Sequence, residues 1–155
     1  MSVDSRAFRD ALGRFASGVT VVSVNHADGV HGITVSAFSS VSLDPPLVAV
    51  CIGTKARACA MIAEAGRFGV SILAADQRAL SDAFAGRPDA AAPAWDRAGW
   101  ETPVLSGALA RLDCRVAQAV EAGDHVVFIG TVDRIDTSEG APLAYWRGRY
   151  RALAD

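Results

Sequence analysis

The chain carries a single lysine, Lys55, among its 15 basic residues, and only two methionines and three cysteines. Cys51, Cys59 and Cys114 are odd in number, widely spaced and form no CxxC pair, which argues against a disulfide framework and against a zinc site. Reduced cytosolic thiols and no bound metal are therefore expected. No apolar run approaches membrane-span length, and the N-terminal MSVDSRAFRDALGRF is charged and amphipathic, without the apolar stretch of a signal peptide. A cytoplasmic protein with no membrane partner is the expectation. No block of like charge occurs either: 15 Lys and Arg against 17 Asp and Glu leave a net charge of -2, so no nucleic-acid partner is expected. GxGxxG, GxxxxGK[ST] and GxSxG are all missing, so a nucleotide here is not held by a Rossmann turn or a P-loop, and no nucleophile elbow is present.

What remains is a chain of 155 residues with 51% hydrophobic side chains, one domain's worth over residues 1–155 and long enough to bury a core. Phe8, Leu12, Phe15 and Ala16 recur at helical spacing behind Ser5, predicting a helix over 6–16 that Ser17-Gly18 ends. Two β-rich runs, 19–24 and 30–38, flank the turn residues Asn25 to Gly29 and predict a hairpin. LVAVCI at 47–52 predicts a buried strand, 55–64 a short helix, 68–73 a strand and 77–84 a helix. The irregular stretch 86–106, with three of the six prolines and with Trp95 and Trp100, is expected to be a surface excursion or lid. A second hairpin is predicted from 108–120 and 126–135, and strands at 143–146 and 149–151 are expected to close the sheet. Strands arriving as neighbouring hairpins argue for a mainly β fold, largely antiparallel, with peripheral helices.

Three features carry chemical information. GITVSAFSSVSLDPP, residues 32–46, alternates: Ile33, Val35, Ala37, Val41 and Leu43 would share one face of an extended chain, and Thr34, Ser36, Ser40 and Ser42 the other. A face of small uncharged hydroxyls suits the edge of a planar hydrogen-bonding ring or a phosphate, or else serines that bond their own backbone. Gly53-Thr54-Lys55-Ala56-Arg57 lies between a buried strand and a helix start, where Thr54 would cap and Lys55 and Arg57 would pair with an anion, or stand solvated. Gly123-Asp124-His125 is a turn that places His125 at the start of a strand, either toward a ligand or merely exposed. The lack of a hydrolytic signature is compatible with hydride transfer between bound cofactors, which needs stacking, orientation and exclusion of water more than a protein acid or base.

Five segments in order, FASGVTVVSV, GITVSAFSSVSLDPPLVAVCI, FGVSILAADQRALSDAFAG, LDCRVAQAVEAGDHVVFIGTVDRI and PLAYWRGRYRAL, closely resemble the flavin reductase family, in particular the short-chain NAD(P)H:flavin oxidoreductase components of two-component flavin monooxygenases. The resemblance implies an FMN-binding split β-barrel, homodimeric, that uses NADH or NADPH to reduce FMN or FAD. The reduced flavin would then diffuse to a separate flavin-dependent monooxygenase. By that analogy Thr34, Val35, Ser36 and the segment Ser39, Ser40, Val41, Ser42 would meet the isoalloxazine and ribityl groups. Cys51, Ile52 and Gly53 would lie along the flavin, and Thr54, Lys55, Ala56 and Arg57 would face its phosphate. His125 would help seat the nicotinamide, with Tyr150 near the same cleft. Two departures stand out: Ser71 occupies a position where relatives commonly carry Asn, and the stretch between Phe84 and Trp100 lacks the phenylalanine many relatives have. Two other readings stay open, a tightly held flavin that reduces a different acceptor and a flavin-binding protein without catalysis.

Overall fold

A computed structural model describes residues 2–87 and 91–154. Helix α1 spans Ser5–Leu12, capped one residue earlier than expected, by the Asp4 carboxylate accepting from the Ala7 amide at 2.8 Å. The next stretch, Ser17–Gly18, is a short strand, β1, rather than a mere helix stop. Strands β2 (Thr20–His26) and β3 (Gly29–Val35) form the expected hairpin. The alternating stretch 32–46 is not one strand: it breaks at Ser36-Ala37 and resumes as β4 (Phe38–Leu43), which pairs with β5 (Pro46–Gly53). The phase shifts at the break. Phe38 packs on the core, whereas Val41 and Leu43, expected on the apolar face, are 50% and 95% exposed, with a register shift between Ser40 and Ser42.

Helix α2 (Arg57–Ala65) is followed by β6 (Arg67–Ile72), a short 3-10 turn at Ala75–Gln77 and helix α3 (Arg78–Phe84). Two-residue strands β7 (Trp95–Asp96) and β8 (Val104–Leu105) pair with each other. The long hairpin β9 (Ala110–Ala122) and β10 (His125–Thr137) turns at Gly123-Asp124, with Gly123 at a φ of 63°. Among the described residues the main sheet has seven strands in the order β3-β2-β6-β9-β10-β5-β4. The expected mainly β fold with peripheral helices is what forms. The sheet is not closed into a barrel, since no ladder joins its edge strands β3 and β4. Strands β11 (Ala144–Trp146) and β12 (Arg149–Arg151) do not close it either; they pair with β1 in a separate three-stranded sheet.

Two cores sit on opposite sides of β2. Its even residues Val22 and Val24 join Val48, Val50, Ile52, Phe68, Phe128 and the buried face of α2. On the other side Val21, with Val19 just before the strand, joins Leu73, Leu105 and Leu143, covered by Leu80 and Phe84 of α3 and by Trp95. The expected surface excursion is thus corrected in part: Trp100 and residues 102–105 are buried, while residues 88–90 lie outside the described residues. This segment is tied down by Ser23 Oγ donating to the Pro103 carbonyl and Asn25 Nδ2 donating to that of Glu101 at 2.9 Å. Ser71 Oγ accepts from the Leu105 amide at 2.9 Å, so this serine serves a structural hydrogen bond.

Gly130 shows how tightly the first core is packed. A Cβ there would stand 2.6 Å from the ring of Phe68, which is fully buried, and 3.0 Å from Cys114 Cβ. Overpacking of that kind costs about 1–3 kcal/mol. Gly130→Ala is expected to lower unfolding stability by about that amount in urea melts; a change below about 0.5 kcal/mol would mean that Phe68 has room to move.

Candidate active site

The structure gathers the candidate residues into two groups. In the first, a hollow of about 190 Å³ opens between β3, the end of α3 and the C-terminal hairpin, lined by Thr34, Ser36, Ser81, Ala85, Tyr145 and Tyr150 together with Val19. Thr34 Oγ1 donates to the Ser81 carbonyl at 2.6 Å, which fastens β3 to α3. Gly32 permits the same approach further along, because a Cβ there would sit 2.7 Å from the Phe84 ring. Tyr150 Oη donates to Asp82 Oδ1 at 3.0 Å and lies 2.8 Å from Ser81 Oγ. With the Tyr150 proton committed to the carboxylate, Ser81 Oγ is the donor in the second contact. Burial first, and then the Asp82 carboxylate against the opposing pull of Ser81, push the Tyr150 hydroxyl above its ordinary value. It therefore stays protonated at neutral pH and offers hydrogen bonds, not charge.

The second group is a turn packed on a turn. His125 pairs with Gly53 across the β10 and β5 ladder, and Thr54 donates to the Asp124 carbonyl through both its amide, at 2.9 Å, and its Oγ1, at 3.1 Å. Thr54 therefore does not cap α2; the cap position falls to Ala56, in extended backbone and with no side-chain bond. His125 Nδ1 stands 2.6 Å from Asp124 Oδ1. That hydrogen bond, with the charge of the imidazole and more distantly of Lys55, holds the Asp124 carboxyl below its ordinary value. An ionised carboxylate only accepts, so Nδ1 carries the proton and Nε2, on the side of Gly53, is left for a ligand.

The remaining candidates divide by where their side chains point. Val35 and Ile52 are buried in the first core, so only their backbone is available, and the Val35 carbonyl already accepts from Thr20 Oγ1 at 2.6 Å. Ser39 and Ser40 are exposed, and Ser42 half-buried; Ser39 Oγ donates to the Ser40 carbonyl at 3.0 Å, the local backbone bonding that was the alternative reading of the hydroxyl face. Cys51 is half-buried on the outer side of β5. Lys55 is exposed. Arg57, the first residue of α2, lines a further groove with His31, Gly32 and Phe84. Its charge adds to burial in holding the His31 imidazole below its ordinary value. The Thr34 and Tyr150 hollow is not lined by His125. Ser81, Asp82 and Arg78 were missed from sequence, although the i, i+4 placement of Arg78 and Asp82 on a predicted helix marked one face of it as charged.

The flavin reductase like domain model matches residues 12–154. The chain belongs to the flavin reductase family. A curated flavin reductase of this family, the NADH-dependent flavin reductase of Rhodococcus sp, is 46% identical over 151 residues, covering 94% of this chain and 84% of that one. The reductase component of 4-hydroxyphenylacetate 3-monooxygenase of Thermus thermophilus is 41% identical, with 95% of each chain covered. Among solved structures, the flavin reductase PheA2 in its native state superposes with a TM-score of 0.94 at 43% identity, over 99% of this chain and all of that one.

The donor set fits the flavin that the family implies. The small exposed hydroxyls of Ser36 and Ser39 suit a ring edge, and the exposed cations of Lys55 and Arg57 suit a phosphate. The thiols give a check on which surfaces are open. Burial, and next the charge of Asp113, push the Cys114 thiol up to about 12, and Cys59 is also buried. Iodoacetamide at pH 8 is expected to alkylate Cys51 in the native protein and to spare the other two until denaturant is added, as read by peptide mass spectrometry. Native labelling of Cys114 would contradict this packing.

Proposed function

We propose that this chain is an NADH- or NADPH-dependent flavin reductase that takes FMN or FAD in the groove along β3 and releases it, reduced, to a separate flavin-dependent monooxygenase. The observation that carries the reading is a hollow furnished with hydroxyls and a protonated tyrosine, and lined by no carboxylate, imidazole or amine among the described residues, in a member of the flavin reductase family. When bound, a flavin supplies the hydride acceptor at N5 for the hydride on nicotinamide C4. The protein's share is orientation. Thr34, Ser36 and the Ser39 to Ser42 segment would hydrogen-bond the ring and ribityl chain, with Cys51 and Gly53 alongside. Thr54, Lys55 and Arg57 would sit at the flavin phosphate, Ala56 and Ile52 giving backbone only. His125 Nε2, with its ring fixed by Asp124, and Tyr150 would orient the nicotinamide. A cytoplasmic location belongs to the proposal, because that is where reduced nicotinamide cofactors are maintained. No helix among the described residues is long and apolar enough to cross a membrane.

The reading includes a homodimer. Helix α1 buries none of its residues and leaves Phe8 and Leu12 in water, where Phe15 just beyond it also lies, and β4 leaves Val41 and Leu43 exposed. A second copy would cover such surface.

The deciding experiment follows NADH consumption by flavin-stripped protein while FMN, FAD or riboflavin is raised from below one per chain to a large excess. The proposal expects a rate that saturates only well above one flavin per chain. A plateau at one per chain would make flavin a fixed prosthetic group serving another acceptor, and no rate would leave a flavin-binding protein. For the phosphate contact, Lys55→Ala is expected to weaken FMN about tenfold, the size typical of one lost charge-assisted contact, while riboflavin changes less than about twofold. Equal losses in fluorescence-quenching titrations would remove Lys55 from the phosphate site.

A further inference from the structure

The hollow at Thr34 and Ser36 does not end at Tyr150. Tyr150 and Ala85 also wall a second hollow of about 420 Å³, whose rim carries Arg78, Arg87 and Arg149 around the single carboxylate of Asp82. Among the described residues, three guanidiniums against one carboxylate leave an excess of two positive charges at this mouth. The pairs that offset it are long and exposed: Arg87 Nη1 lies 3.4 Å from Asp82 Oδ1 and Arg78 Nε 4.0 Å from Oδ2, with the arginines 75% and 66% exposed. Such pairs hold their side chains weakly. One Asp82 oxygen is also shared with the Tyr150 hydroxyl, and Arg149 has no ion-pair partner among the described residues.

The placement of these charges is built in. Arg78 stacks its guanidinium 4.9 Å from the centre of the Tyr150 ring, at the seam between the two hollows. Arg149 follows a two-residue hairpin turn in which Arg147 and Gly148 have φ of 49° and 75°, the successive positive values of a primed turn. A non-glycine residue rarely takes such a φ, and here the turn is anchored by the Arg147 amide donating to the Gly13 carbonyl at 2.9 Å. The backbone that delivers Arg149 is therefore fixed against the end of α1.

We propose that this arginine-rimmed hollow is the subsite for the diphosphate group of the nicotinamide dinucleotide. The proposal rests on the reading of the adjoining hollow as the place where nicotinamide meets flavin. In a dinucleotide only a ribose separates the nicotinamide ring from the diphosphate, so a ring seated beside Tyr150 brings the diphosphate to the mouth that Arg78, Arg87 and Arg149 surround. Its two negative charges match the excess there, and the planar guanidinium fork pairs two phosphate oxygens at once. FAD carries the same group, and the test separates the two sources.

Arg87 and Arg149 are exposed and Arg149 has no ion-pair partner among the described residues, so Arg87→Gln/Arg149→Gln removes charge without disturbing a core. ADP-ribose, a diphosphate without a nicotinamide ring, is titrated by calorimetry into the parent and the double variant. KM values for NADH and for reduced nicotinamide riboside, which carries no phosphate, are then measured with FMN and with FAD. The double variant is expected to bind ADP-ribose about tenfold more weakly and to raise the NADH KM about tenfold with either flavin, while the riboside KM moves less than about twofold. Equal ADP-ribose binding by the two proteins overturns the subsite. A loss confined to FAD also overturns it, in favour of the flavin's own diphosphate. If ADP-ribose binding weakens as expected but the parent oxidises no NADH with any flavin, the subsite stands and the flavin reductase reading falls.

Discussion

Burial of β2 on both faces is the constraint from which the rest of the molecule follows. An antiparallel sheet commonly leaves one side in water, but here Val22 and Val24 face one core and Val19 and Val21 the other. Each buried aliphatic side chain returns about 1.5–3 kcal/mol only if something covers it. On one side α2 and the inward residues of β5 supply the cover. On the other the chain must bring α3, Trp95, Leu105 and Leu143 across the strand. The candidate site lies at the edge of that second layer, where α3 reaches β3 and Thr34 bonds the Ser81 carbonyl.

Polar tethers decide how the second layer lies. Asp113, 2% exposed, accepts from the Glu101 amide at 2.8 Å and from Arg67 Nη2 at 3.2 Å. A buried carboxylate is costly unless it is paired and hydrogen-bonded, and these partners come from the segment it fixes and from β6. With Ser23, Asn25 and Ser71 each bonded to the backbone between Glu101 and Leu105, the second layer has a polar seam as well as an apolar one. This gives the segment a defined register on the sheet, which apolar contact alone would not.

The parts legible in the sequence are those whose signal is local. Both long hairpins were readable because turn residues sit between β-branched runs, and β5 because an unbroken, β-branched apolar run of its length suits a strand rather than a helix. What was not legible depends on pairing across long separations. Ser17-Gly18 becomes a strand only because Tyr145 and Ala144 lie beside it, and the 95–105 segment is buried only because Ser23, Ser71 and Asp113 receive it. The 32–46 alternation misled for a physical reason: a break at Ser36-Ala37 reverses which residues face the core, so Phe38 turns inward and Leu43 outward. At the candidate site the β-strand half was visible as hydroxyls, but the α3 half was not, because Ser81 and Asp82 read as ordinary polar residues until Tyr150 is brought to them.

The ionisable groups near the candidate site are bound to one another: Tyr150 to Asp82 and Ser81, and His125 Nδ1 to Asp124. A general acid or base needs a proton it can release or a lone pair it can fill at neutral pH, and Tyr150, pushed up and committed to Asp82, has neither role open. Hydride transfer asks for neither, since the hydride carries its own electrons and what limits it is the distance and alignment of two rings. Residues locked in mutual hydrogen bonds are poor proton shuttles and good walls, because each fixes the rotamer of the next. The rigidity of these walls, with His125 Nε2 as the one ring nitrogen left open to a ligand, therefore serves ring-to-ring hydride transfer, which asks for fixed orientation rather than for a proton shuttle.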